Sequence, residues 1–151
     1  MARHVTLVTG PPCSGKTTYV HRHAHPADTV LCLDELARAA GSARRHQHEP
    51  HHWDAAQVEY EQRLADLAHH DGTAWVVATA ADPDERQHLA DTCRADTVLV
   101  LLVDAGTCIA RARQDRRHGH THHVIRQWHE RYQPRRGDEV LDHQPAALPT
   151  W

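Results

Sequence analysis

The sequence predicts an α/β fold in three layers, a parallel sheet of four to five strands with helices packed on both faces. Short, near-continuous apolar runs alternate along the chain with helix-length segments. Strands apolar on both sides belong in sheets covered on both faces. Asp34, Asp82 and Asp104 fall near the ends of successive runs, and such folds bind ligands outside the carboxyl ends of their strands. The 151 residues suit one domain with a single core.

The elements follow in order. Val5–Thr9 is a β-branched run that enters a Gly/Pro loop, and Gly15 to about His23 starts a helix that Pro26 ends. Thr29–Leu33 is a second strand and stops at Asp34. Trp53, Gln57, Tyr60, Leu64 and Leu67 recur at helical spacing, which predicts an amphipathic helix over 54–69. Asp71-Gly72 turns the chain into a third strand, Ala74–Ala78. Asp82-Pro83-Asp84-Glu85 is a helix start, with an N-cap carboxylate, proline in the first position and a glutamate three residues after the cap. Thr97–Val103 is a fourth strand ending at Asp104, followed by a helix through about Arg117. Thr121 caps a last helix with Val124, Ile125, Trp128 and Tyr132 on its apolar side, and Pro134 to Gly137 breaks it. We therefore divide the chain into a domain over 1–133 and an irregular C-terminal tail over 134–151.

Composition sets limits on function. The formal net charge is −3 with histidine neutral, so the whole-molecule field offers no general attraction for nucleic acid, and polyanion binding needs a local basic patch. Cys13, Cys32, Cys93 and Cys108 form no CxxC pair and read as reduced, semi-buried small hydrophobes. There is no long apolar segment near the N-terminus and no run of about 18 apolar residues. These features lead us to expect a soluble, cytoplasmic protein that does not enter the membrane.

Lys16 is the single lysine in a chain with sixteen arginines. It sits in Gly10-Pro11-Pro12-Cys13-Ser14-Gly15-Lys16-Thr17, which fits the phosphate-loop pattern G-x-x-x-x-G-K-[ST] between a strand and a helix. Glycines let such a loop curl until its N–H groups face phosphate oxygens, and the helix N-terminus adds partial positive charge. A slim ammonium fits inside that curl where a planar guanidinium does not. Gly10, Pro12, Cys13, Ser14, Gly15, Lys16, Thr17 and Thr18 are therefore the candidate ligands of ATP or another NTP. Lys16 reaches the β- and γ-phosphates, and the Thr17 hydroxyl is offered to Mg²⁺.

Two further features concern the fate of the phosphate. A carboxylate at Asp34 would accept a proton from an attacking hydroxyl, with Arg38 one turn on to hold an anionic acceptor; alternatively Asp34 caps the next helix. Arg111, Arg113, Arg116 and Arg117 lie within seven residues. On a helix Arg113, Arg116 and Arg117 share a face, from which they would close over the NTP as a short Arg-rich lid. A solvated charged face is the alternative.

These residues resemble the kinase domain of phage-type polynucleotide 5′-kinases and related small P-loop kinases. The shared pattern is G-x-P-x-S-G-K-[ST] at Gly10–Thr17, Asp34 with a nearby Arg38, R-x-x-x-R at Arg113 and Arg117, and Val124-Ile125-Arg126 in the following helix. It spans roughly Val5 to Tyr132. The resemblance implies a P-loop kinase fold, Asp34 as the general base, Arg113 and Arg117 as catalytic lid residues with Arg116 beside the nucleotide, and Arg38 on the acceptor phosphate. The chain departs from the family after the third strand, where Ala78-Thr79-Ala80 stands in place of an Asp-Thr-Asn-like group, with Asp82 the nearest carboxylate.

Seventeen histidines lower the weight of any one of them. We expect the cluster from His118 to His123 to form a pH-dependent basic patch rather than a zinc site. Asp104 stands where a Walker-B carboxylate would, although helix capping explains it more simply. Arg44, Arg45 and Trp53 lie in a segment, Gly41–Trp53, that either receives the acceptor or connects two elements. The expected activity is transfer of the γ-phosphoryl group of Mg·ATP to a hydroxyl, with a nucleic-acid 5′ end the preferred acceptor and a nucleoside, sugar or antibiotic hydroxyl the alternative. A nucleotide-dependent binding module is the rival from another class.

Overall fold

The computed structural model describes residues 2–39, 50–117 and 119–142. The expectations for Arg44, Arg45 and His118, and for the side chain of Trp53, lie outside the described residues. The elements are β1 (His4–Thr9), α1 (Lys16–His23), β2 (Thr29–Cys32), α2 (Leu33–Ala39), α3 (Pro50–Asp66) with a 3₁₀ turn at Leu67–His69, β3 (Thr73–Ala78), α4 (Pro83–Cys93), β4 (Thr97–Leu101), α5 (Ala105–Gln114), α6 (Gly119–Arg131) and β5 (Asp138–Leu141).

The five strands form one parallel sheet in the order β2-β3-β1-β4-β5. β1 is central, and Val5 to Thr9 are accordingly all buried. Its register pairs Leu7 with Val76 of β3 and with Val98 of β4. Alternation of side chains along β1 then builds two cores. Val5 and Leu7 face α2, α3 and α4 through Leu36, Tyr60, Leu64 and Cys93, whereas Val8 faces α1 through Val20. Helices therefore cover both faces, as the apolar strands require. This is a P-loop kinase fold.

Local chemistry explains most boundaries. Asp82 caps α4 by accepting from Asp84 N at 2.8 Å, with Pro83 in the first turn. Asp104 caps α5 by accepting from Thr107 N at 2.9 Å and from its hydroxyl at 2.7 Å, so capping is the role the geometry gives it. β2 runs straight into α2, which places Leu33 and Asp34 in the first turn of that helix rather than at the end of a strand.

The expectation of an irregular tail is corrected for four residues. Asp138–Leu141 forms an edge strand paired with Val98–Leu101. It is held by a buried ion pair between Asp138 Oδ2 and Arg86 Nε at 2.9 Å, with both side chains at most 1% exposed. Arg135 joins through Asp138 Oδ1 at 2.7 Å. No helix among the described residues is long and apolar enough to cross a membrane.

Candidate active site

The carboxyl end of β1 passes into the phosphate loop at Gly10. A Cβ there would lie 2.7 Å from Ser14 Oγ and 2.9 Å from the Leu101 carbonyl, and φ is +155°, so only glycine fits. The loop then turns through Cys13 at φ +64° and Gly15 at φ +90°, with Ser14 N donating to the Pro11 carbonyl at 3.2 Å. Gly15 is the N-cap of α1 and supplies no side-chain hydrogen bond. The first backbone N–H groups of α1, at Lys16, Thr17 and Thr18, are thus left for a ligand. The Ser14 hydroxyl is fully buried and has no hydrogen-bond partner among the described residues. An uncapped helix start beside an orphaned buried hydroxyl suits a phosphate chain. On the rim, the exposed Thr17 supplies the oxygen chemistry that Mg²⁺ requires.

Lys16 folds back into this loop, donating to the Gly10 carbonyl at 2.9 Å and the Pro11 carbonyl at 2.8 Å. Burial pushes its ammonium down to about 8; Cys108 and Cys13 oppose this most, the Arg117 charge lowers it further, and the Asp34 carboxylate opposes it least. Neutralisation by a bound triphosphate would return Lys16 toward its ordinary range. Binding of Mg·ADP is then expected to take up about one proton at pH 9, where the free lysine is mostly neutral, and close to none at pH 7. Titration calorimetry in buffers of different ionisation enthalpy measures this, and equal uptake at both pH values would contradict the lysine's depressed pKa.

The Arg-rich segment differs from the single helical face that the spacing suggests. α5 ends at Gln114. Arg117 N then donates to the Ala112 carbonyl at 2.9 Å and Arg116 N to the Arg113 carbonyl at 3.1 Å. With Arg116 at φ +55°, this is a Schellman ending closed by an arginine instead of the usual glycine. Arg113 and Arg116 are exposed, and Arg117 is half-buried with its charge acting on both Cys13 and Lys16. Arg38 is exposed in the last turn of α2, four residues from Asp34, so the two share a helical side.

Two further arginines frame the site. Arg111 Nη1 donates to the Cys13 carbonyl at 3.2 Å, from α5 into the phosphate loop. Arg86 is fully buried. It donates from Nη1 to the carbonyls of Ala80 at 3.0 Å and Ala81 at 2.7 Å, and from Nη2 to the Gln133 carbonyl, while its guanidinium lies 5.1 Å from the Tyr132 ring centroid. Those bonds shape the loop after β3, where Ala80 takes φ +37°. The Thr79 carbonyl links that loop to Gly10 N at 3.4 Å and to Trp128 Nε1 at 2.7 Å. Between this loop and α6 opens a cleft of about 630 Å³ whose lining includes Asp82, Asp84, Glu85, Trp128, Glu130 and Arg131. No local signal marks a buried arginine, because the Asp138 carboxylate and Gln133 carbonyl that help to enclose it lie far along the chain.

Comparison with known proteins extends the description. Among curated proteins no sequence matches the chain. Of solved structures, a chain of the Pnkp1/Rnl/Hen1 RNA repair complex superposes with a TM-score of 0.64 at 13% identity over 98% of this chain and 51% of that one, so this protein spans about half its length. A shikimate kinase from Acinetobacter baumannii in complex with shikimate gives 0.62 at 18% identity over 97% and 87% of the two chains. A sugar kinase from Janibacter sp. gives 0.56 at 20% identity over 96% and 88%. At these identities the likeness is one of fold. A family model described as an AAA domain matches residues 5–135, from β1 through the phosphate loop and the Arg-rich segment to the end of α6, and the chain accordingly belongs to the AAA domain family.

Proposed function

We propose that the protein is a kinase that transfers the γ-phosphoryl group of ATP to a hydroxyl acceptor. The observation that carries this reading is the phosphate loop, with Lys16 folded onto the Gly10 and Pro11 carbonyls beside an uncapped α1 start and the orphaned Ser14 hydroxyl, and with Asp34 following β2 at the same end of the parallel sheet. A nucleotide module that only binds needs the loop and its lysine; a carboxylate at that end of the sheet serves transfer.

The acceptor oxygen forms a bond to the γ-phosphorus as the bond from that phosphorus to the bridging oxygen of ADP breaks. Asp34 takes the hydroxyl proton. Lys16 and the N–H groups at the start of α1 hold the phosphates, and Arg117, with Arg113 and Arg116 following closure of the segment, balances the charge spreading over the transferring group. The Thr17 hydroxyl would help to hold Mg²⁺, which would supply positive charge to the phosphate chain. ATP supply and four free cysteines fit a cytoplasmic setting.

For the acceptor we propose a polynucleotide 5′-hydroxyl, with Arg38 meeting the adjacent phosphate from the same helical side as Asp34. One observation favours a second reading, a small neutral or amine-bearing alcohol: the cleft beside the loop after β3 is lined by carboxylates, which repel a phosphodiester chain. The test is transfer of labelled γ-phosphate to a panel of 5′-hydroxyl oligonucleotides, nucleosides and small alcohols, with Lys16→Ala as control. Labelled oligonucleotide supports the first reading and labelled small alcohol the second. Tight ATP binding with no labelled product from any acceptor would overturn the kinase and leave a binding module.

A further inference from the structure

The phosphate loop holds one residue against its own preference. Cys13 has a Cβ and yet sits at φ +64°, a left-handed conformation that such residues keep only where the surroundings hold them. Its side chain packs against the cluster of Val103, Cys108, Ala112 and Ile125, which anchors the side chain but not the carbonyl. The N–H of the same peptide, at Ser14, donates to the Pro11 carbonyl at 3.2 Å and holds one edge of the plane from within the loop. What fixes the plane from outside the loop is Arg111, whose Nη1 donates to the Cys13 carbonyl at 3.2 Å.

The same Nη1 lies 3.9 Å from the point where a Cβ on Gly15 would stand. One guanidinium thus backs both left-handed residues of the loop. Arg111 is half-buried and projects from α5, the helix that leads directly into Arg113, Arg116 and Arg117. A planar donor on a helix is well suited to this task, since its geometry is fixed by a delocalised fork rather than a rotating ammonium.

We infer that Arg111 is a positioning residue of the phosphate loop: it pins the Cys13 carbonyl outward and so keeps the loop in its phosphate-binding curl. It acts through Cys13 and not by contact with nucleotide. The inference rests on the nucleotide-binding reading above for its affinity arm, but its structural arm does not.

The test is a double-mutant cycle on the full chain, reading dissociation constants for Mg·ADP and Mg·ATP by calorimetry. Arg111→Ala is expected to weaken both nucleotides about tenfold, since one hydrogen bond from a charged donor is lost. Arg111→Gln, which retains an N–H donor, loses less. In a Cys13→Gly background the same Arg111→Ala change costs only about twofold, because glycine takes positive φ without help. Equal cost in both backgrounds, or weakened ATP with unchanged ADP, would overturn the inference, the latter in favour of a direct γ-phosphate contact.

If Arg111→Ala does not fold, Arg111→Gln runs the same cycle. Without any nucleotide, the rate of Cys13 alkylation by iodoacetamide, followed by peptide mass spectrometry, is expected to rise severalfold in Arg111→Gln; an unchanged rate would also count against the role. Should the unmodified protein bind neither nucleotide, the nucleotide reading falls, and the alkylation result still decides whether Arg111 holds the loop.

Discussion

Arg86→Met is expected to remove about 3–5 kcal/mol of folding stability, a large part of the roughly 5–15 kcal/mol that a domain commands. Methionine matches the length of the stem and fills the space, so the loss is polar rather than steric. The Ala80 and Ala81 carbonyls lose their shared donor, and the Gln133 carbonyl loses another. Each buried acceptor left without a donor costs about 1–3 kcal/mol. Asp138 keeps Arg135, which is why the loss stops short of a fully stranded buried charge. Arg86→Lys should recover only part of it, because one ammonium cannot reach carbonyls on two sides of the guanidinium plane. Urea unfolding followed by circular dichroism measures the difference. A change below about 1 kcal/mol would show that water takes over those carbonyls and that the network contributes little.

Asp34→Asn is expected to lower the rate of phosphoryl transfer by about 10²–10⁴-fold while leaving nucleotide affinity within a few-fold. Asparagine keeps the shape and can still accept a hydrogen bond, but it cannot take the hydroxyl proton. The carboxylate also exerts a small favourable effect on the Lys16 ammonium, so removing its charge brings a slight weakening of affinity rather than a gain. Steady-state kinetics with the best acceptor of the panel separate the two quantities. If kcat is retained, Asp34 is not the base, and its place in the first turn of α2 would leave it a role in the helix N-terminus alone.

The parts of the molecule that sequence makes visible are those that local chemistry determines. Strands β1 to β4 announce themselves by apolar runs, Asp82 and Asp104 by their capping positions, and the phosphate loop by glycines at fixed offsets. The parts that remain hidden depend on distant partners. β5 is a four-residue edge strand with exposed Glu139 and Val140, so no alternation or apolar run marks it; Asp138 places it through Arg86, far away in the chain. The end of α5 is hidden for a different reason. Glycine usually signals a Schellman ending, and here Arg116 occupies the left-handed position, so the helical spacing of the arginines continues past the real terminus. Asp34 shows an intermediate case: its proximity to the loop is legible from the sheet's expected polarity, but its seat inside a helix is not, because β2 and α2 join without a connecting loop.

The central place of β1 has a bearing on how the chain assembles. Of the five strands, the earliest in sequence is one that needs two neighbours, and Thr6 meets Thr97 and Trp75 across the finished sheet. Until β4 has been synthesised, β1 has one side unsatisfied, and its most apolar stretch is open to mispairing. No strand can pair before β3 is made, and every pairing joins strands far apart in sequence, which sets the domain among slow, topology-limited folders rather than fast local ones.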